Sequence, residues 1–398
     1  TNISSGIPQG SFTRVVREDK DRKGLLYAGT EKGIYVSWND GANWEPMQLN
    51  LPKTPILDLM VHQGDLIVAT SGRSFWILDD LGTLGQYEKP KKETFLYTPE
   101  TAYNGYWGSA LSRNSASFKG SQPFTGLNPA NGMVIYYELP KLAESLSITL
   151  EEMDSKGNLV NSFSSEKDKA YKRYDGGPPP APVLDKKEGL NRFVWNLGHA
   201  IMPGVMNTYI EASYRGHRAS PGDYVLRLKV ADKVLETKGR IKEIPSYETK
   251  PDQYEAYDTF MEDAEGKLTE MHHMVNRLLN AQGQLKAVLK KVDNEVLKKE
   301  GQNLVNDLDA WDKDMVQRKS KAYDDVENFP NKFTAEYLFL INATSSSIPR
   351  VNQPSIDRKV ELDQQWEALK KRGEAFINSK LPAFNKKLWE AGIGAVQL

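Results

Sequence analysis

The apolar positions of this chain change their period along its length, and the changes divide it. From Ser11 to Thr98 they fall in short runs: Ser11–Glu18, Gly24–Thr30, Gly33–Trp38 and Trp44–Leu49, then Ile56–His62, Asp65–Thr70, Ser74–Asp79 and Glu93–Thr98. Runs this short, bounded by charged or glycine-bearing turns, predict strands. The second set repeats the first, with Ala28-Gly29-Thr30 against Ala69-Thr70-Ser71 and Ile34-Tyr35 against Phe75-Trp76. Four strands recurring after about forty residues is the pattern of a β-propeller blade, so residues 1–100 are expected to be two blades. A pair of blades leaves edges and apolar faces uncovered. The missing blades are expected from a preceding segment of the same precursor or from a separate chain.

Residues 101–122 are rich in Gly, Ser and Asn without a period and predict a linker. Strand patterns resume over 123–247: Met133–Leu139, Ser145–Glu152, Leu159–Phe163, Gly189–Leu197, Asp223–Val230 and a hairpin through Val234–Ile241. Their spacing predicts a β-sandwich of immunoglobulin type without its disulfide, with Trp195 in the core and Tyr224 anchoring a corner. Over 248–398 the period lengthens to that of helices. Asp252–Lys291, Asn294–Lys319, Phe333–Ala343 and Ile356–Trp389 predict an antiparallel helical bundle, and Pro382 predicts a kink or break near Lys380. The fold class read from the pattern is therefore multidomain, β then α.

Composition narrows the function. Lys and Arg number 52 against 53 Asp and Glu, a net charge of −1, so no global field recruits nucleic acid or an anionic membrane. The absence of cysteine removes disulfides, thiol catalysis and thiolate metal sites. No run approaches the roughly 18 apolar residues of a membrane-spanning helix. The start, Thr1-Asn2-Ile3-Ser4-Ser5, is not a signal peptide and has no initiator Met, so a processed or truncated amino end is expected.

Several motifs carry candidate chemistry. Ser37, Asn39, Gly41 and Trp44 form a slightly degenerate Asp-box in the turn between two strands. There a side chain bonds its own backbone and Gly takes a positive φ, which is a fold-stabilising device. Arg14, Arg17, Asp58 and Arg73 are the charged residues expected to approach a channel face. The Tyr174–Pro182 loop, YDGGPPPAP, reads as a stiff surface connection or a polyproline ligand. His199 and His217 lie in loops with no third ligand at a metal-binding spacing. His272-His273 point about 100° apart on a helix and are expected to be solvated. Asn342-Ala343-Thr344 matches a glycosylation sequon but sits at a helix end. No cofactor or metal site is expected, and no catalytic residue is marked out.

Taken in order, GLLYAGTEKGIYVSWNDGANW, VATSGRSFWILDD, NPANGMVIYYEL, GLNRFVWNL, PGDYVLRL and LPAFNKKLWEAG resemble the carboxyl-terminal part of large bacterial proteins known as glycosyl hydrolases with bacterial neuraminidase (BNR) repeats, or as sortilin-like propeller proteins. The resemblance runs from about Ile7 to Gly394. It implies a large secreted propeller ahead of this region, then an immunoglobulin-like sandwich, then a helical tail. One departure is Ser71, where relatives often have His before the Gly-Arg, so chemistry resting on that His has no counterpart here. Glycoside hydrolysis needs two carboxyl groups about 5–10 Å apart across one cleft, and the sequence marks no such pair. The expected role is protein or glycan binding and scaffolding in a secreted, periplasmic or cell-surface setting, with an envelope assembly or a glycan as partner. The alternative is a glycoside hydrolase whose catalytic residues lie mostly in blades outside this chain.

Overall fold

The structure, a computed structural model, describes residues 2–87, 93–105, 129–245 and 248–397. The expected linker 101–122 lies mostly outside them. The chain is β in its first part and helical in its last, and it forms two compact units. The first comprises Thr1–Glu166, Val183–Leu197 and Pro221–Pro245; the second comprises Lys167–Pro182, Gly198–Ser220 and Ser246–Leu398. Residues 167–182 and 198–220, expected with the strands of 123–247, thus fall in the unit that holds the helices.

The first unit begins with two small antiparallel sheets. Strands β1 (Thr13–Glu18), β2 (Leu26–Thr30), β3 (Gly33–Ser37) and β4 (Glu45–Pro46) pair in chain order, as do β5 (Ile56–His62), β6 (Asp65–Thr70) and β7 (Phe75–Leu78). Both sheets contribute to one core, with Val15, Tyr27, Ile34 and Val36 from the first and Ile56, Leu59, Leu66 and Val68 from the second. Gly29 permits the close approach: a Cβ there would lie 2.6 Å from Ile56 Cγ2 and 2.8 Å from Val15 Cγ1. The other face of β2 and β3 buries Leu26, Ala28, Tyr35 and Trp44 against Ile7.

After β7 the chain turns through Asp80 (φ 63°) into the short helix α1 (Leu81–Gln86). The run Glu93–Thr98, expected as a fourth strand of the second repeat, instead supplies β8 (Phe95–Leu96), which pairs with β10 (Met133–Leu139). The Tyr97 hydroxyl donates to the Glu138 carboxylate beside that pairing. Strand β9 (Ala102–Tyr103) precedes β10; β11 (Ile148–Met153), β12 (Leu159–Ser164), β13 (Gly189–Trp195), β14 (Gly222–Val230) and β15 (Lys233–Lys242) come after it. They form a three-stranded sheet, β13-β10-β8, and a five-stranded sheet, β12-β11-β14-β15-β9. The two sheets meet through aromatic side chains. Phe163 and Phe193 lie 4.7 Å apart between ring centres, and the fully buried Trp195 meets Tyr224 edge-on at 5.5 Å.

The second unit is built on α2 (Pro251–Leu289), whose 39 residues extend roughly 58 Å. It buries Tyr257, Met261, Ala264, Leu268, Met271, Val275 and Leu278 at alternating spacings of four and three, the stripe that faces other helices. Those are α3 (Glu295–Met315), α4 (Asp325–Asn328), α5 (Phe333–Ser345), α6 (Gln353–Ala375) and α7 (Leu381–Glu390). Asn294 and Asn352 cap α3 and α6 by accepting backbone N–H groups of the first turn. Between α6 and α7, Phe376–Lys380 is a π-helical turn in which the Leu381 N–H bonds the Phe376 carbonyl. Pro382 has no N–H to continue an α-helical ladder, and the wider turn takes up the mismatch where a kink was expected. Lys267 bridges Asp263 on α2 and Asp363 on α6 at 2.8 Å each, so ion pairs tie these helices on their wet side.

Candidate functional site

The residues singled out in the β part fall into two groups. Around Ser37 the turn is closed by its own side chains: Gly41 N–H donates to Ser37 Oγ (2.9 Å), and Asn39 Oδ1 accepts from Ser37 Oγ (3.1 Å) and Asn43 N–H (2.9 Å). Asp40 and Gly41 both take positive φ, 57° and 81°. Trp44 is buried and donates its indole N–H to the Ile3 carbonyl (2.6 Å), which fastens the amino-terminal segment over the sheet. The Ser37, Asn39 and Trp44 side chains are thus engaged in holding the backbone.

The charged group is partly assembled. Arg17 on β1 reaches Asp58 on β5 at 2.8 Å, an exposed pair joining the first two sheets. Arg14 pairs with Glu31 instead. Arg73 stands apart in the exposed turn after β6, where its carbonyl accepts the Trp76 indole N–H (2.9 Å).

Beside Asp58 the outward face of the second sheet is apolar. Met60, Ile67 and Ile77 stand opposite one another across β5, β6 and β7, and Ala69 stands opposite Phe75. Phe75 is 75% exposed and Ile77 60%, while the reverse face of the same sheet is buried against the first. Exposed apolar side chains arranged in register over one sheet face differ from the scattered ones normal on a protein surface.

In the second unit the segment 198–220 forms a strap held by side chains of the helical region. Asn276 of α2 donates to the Gly204 carbonyl (2.8 Å) and accepts from Met206 N–H (3.0 Å). Asn342 of α5 does the same at Ser213, accepting its N–H (2.7 Å) and donating to its carbonyl (2.9 Å). Each primary amide thereby imitates a strand partner for a short stretch of backbone. Arg318 holds Asp312 through Nε and Nη2, at 2.8 and 2.6 Å, and donates from Nη1 to the Met206 carbonyl. The sequon residue Asn342 is therefore an anchor of the strap.

Of the histidines, His272 is placed differently from expectation. His272 is fully buried while His273 is exposed, because neighbouring helical positions point in different directions. The His272 Nδ1 lies 2.6 Å from the Pro203 carbonyl, and burial lowers its pKa to about 4. His199 and His217 stack at 3.7 Å, and Glu265 accepts the His217 backbone N–H (2.7 Å) while facing His217 Nδ1 (3.0 Å). Among the described residues, no group of three or more His, Cys, Asp or Glu side chains is placed to hold a metal ion.

A cavity of about 560 Å³ opens where the strap meets the loop 171–180. Its lining includes Tyr171, Tyr174, Tyr214, Arg173, Arg215 and Asp175, with the Gly-Gly-Pro-Pro-Pro stretch along one wall. That stretch is fixed from both sides. Tyr171 donates its hydroxyl to the Pro178 carbonyl (3.0 Å), and Gly176 takes a φ of 68° where a Cβ would lie 2.6 Å from the Tyr209 ring. Tyr214 is 1% exposed, and its hydroxyl has no hydrogen-bond partner among the described residues, nor has that of Tyr174. Burial, then the neighbouring Tyr171, raises the Tyr174 pKa to about 12, and burial raises that of Tyr214 further. Both remain neutral donors at physiological pH. Arg173 and Arg215 are exposed. In the sequence this loop reads as a surface connection or a polyproline ligand and is not marked as a cavity wall; its signal was the combination of paired glycines, three prolines and alternating Tyr and charge.

No family model and no curated protein matches the chain. Among solved structures it is similar to the "extracellular domain of the putative one component system BT4673 from B. thetaiotaomicron", at 11% identity and a TM-score of 0.16. A second similar structure is the "extracellular domain of the putative hybrid two component system BT4673" from the same organism, at 12% identity and a TM-score of 0.17. Each match covers 60% of this chain and 26% of the other. At such TM-scores they transfer neither fold nor function. No described helix is long and apolar enough to cross a membrane.

Proposed function

We propose that this chain is the carboxyl-terminal portion of a secreted or envelope β-propeller protein of the BNR-repeat or sortilin-like kind, and that it acts by binding and scaffolding. In this reading β1–β4 and β5–β7 are propeller blades, the sheets built on β10 and β14 are an immunoglobulin-like sandwich, and the helices are an antiparallel bundle. The Ser37–Trp44 turn then locks a blade, and the Arg17–Asp58 pair borders the channel.

The observation that carries the reading is the uncovered apolar face of the second sheet. Its reverse face packs on the first sheet through side chains of the same kind, so a further blade from the same precursor or a separate chain continues an interface already present. Covering a large apolar side chain contributes about 1.5–3 kcal/mol, enough for Met60, Phe75 and Ile77 together to favour association.

Sedimentation velocity on the full chain tests this. The expected result is self-association through the exposed face, abolished in Phe75→Lys/Ile77→Lys with an unchanged circular dichroism spectrum. A monomeric chain that behaves like the double variant at every concentration overturns the proposal. Hydrolysis of a glycan by this chain alone would overturn the binding role.

A further inference from the structure

We infer that the cavity between the loop 171–180 and the strap 212–215 is a binding site for an acidic oligosaccharide, a short glycan carrying hexuronate carboxylates. The inference deepens the proposed binding role and rests on it for the kind of activity. Its residues lie in the second unit, so it can fail separately from the association of the β-sheet face.

The volume, about 560 Å³, falls within the range of small-ligand sites, roughly 300–1,000 Å³. Its side chains are mostly donors. The guanidinium groups of Arg173 and Arg215 match a planar carboxylate, and the buried Tyr214 hydroxyl lacks a partner among the described residues. Asp175 supplies a carboxylate acceptor for sugar hydroxyls, and the two guanidiniums leave the lining with a net positive charge.

The wall formed by Pro178, Pro179 and Pro180 selects between ligand classes. Proline has no N–H, so this stretch cannot pair with a peptide strand, which requires alternating backbone donors and acceptors. A polyhydroxylated ligand needs only acceptors from a backbone, and carbonyls are what prolines offer. The site is also held in shape before a ligand arrives: Asn342 clamps Ser213, Tyr171 holds Pro178, and Gly176 fits a space that a side chain would fill. A preformed wall lowers the ordering cost of binding.

Isothermal titration of the full chain with trimers of galacturonate, glucuronate and mannuronate is the test, alongside neutral galactotriose and an acidic tripeptide. At least one uronate trimer is expected to bind at least tenfold more tightly than galactotriose and the peptide. Arg173→Ala/Arg215→Ala is expected to weaken that binding at least tenfold; both residues are exposed, so the fold is expected to survive, as circular dichroism would verify. Binding of none of the three uronates, equal binding by the double variant, or preference for the peptide overturns the inference.

Discussion

His272 sets up the sharpest physical prediction. Its Nδ1 lies 2.6 Å from the Pro203 carbonyl, an acceptor, so Nδ1 carries the proton and Nε2 is left as a buried nitrogen without a partner among the described residues. Protonating Nε2 places a charge among apolar side chains, with the Tyr214 ring 6.0 Å away and His273 on the neighbouring position. Burial accordingly lowers the pKa from 6.5 to about 4, against the opposing pull of the Pro203 carbonyl. Above the unfolded pKa neither state takes up the proton and the group contributes nothing to pH dependence. As pH falls through 6.5 the unfolded chain binds a proton that the folded chain refuses, so stability drops until the pH reaches the folded pKa. The full loss is about 3 kcal/mol, and about 2 kcal/mol of it is present at about pH 5.

The comparison is between the wild type and His272→Asn, whose amide nitrogen takes the place of Nδ1 but does not titrate. Urea unfolding monitored by helical circular dichroism, at about pH 7.5 and about pH 5, gives the difference. The variant is expected to be less stable at the higher pH because it fills less of the core. On acidification the wild type is expected to lose about 2 kcal/mol more than the variant. Equal losses in the two proteins would refute the reasoning, since every other titrating group is common to both.

Three further outcomes rest on particular contacts. Gly29→Ala is expected to cost about 1–3 kcal/mol, because its Cβ would press on Ile56 and Val15, and Val15→Ala, which removes the pressing Cγ1, is expected to lower the melting temperature less in the Gly29→Ala chain than in the wild type. Asn342→Ala removes both hydrogen bonds to Ser213 and is expected to cost about 1–2 kcal/mol, with faster hydrogen exchange at the Ser213 amide. Glu100 is half-buried, and burial, then Asp80 and Asp65, raises its pKa to about 6 despite the Gly82 N–H that opposes the shift. A raised carboxyl pKa means that folded stability falls as pH rises from about 4.5 to about 6, so Glu100→Gln is expected to gain about 1 kcal/mol at about pH 8, after allowance for solvent screening, and nothing at about pH 4.

The sequence by itself determined the local periods and the elements they impose. Short apolar runs bounded by turns over Thr13–Leu78, and alternation over much of Met133–Lys242, make strands, and the three-and-four spacing along α2 makes a helix whatever its neighbours are. Trp195 was legible as core because an aromatic flanked by alternating residues has one dry side. Pro382 was legible as an interruption because the missing N–H is a property of the residue itself. Tertiary structure decided the pairings that span long stretches of chain. Phe95–Leu96 carries two residues of strand, too few for local pattern to choose a partner, and Tyr137 and Glu138 supplied it. His272 and His273 look alike in sequence; only the position of Pro203 beside α2 made one of them a buried donor. The strap and its cavity were least legible. Their backbone is held by Asn276, Asn342 and Arg318, whose bonds to it reach across 70 to 129 residues, and no local period records a hydrogen bond of that reach.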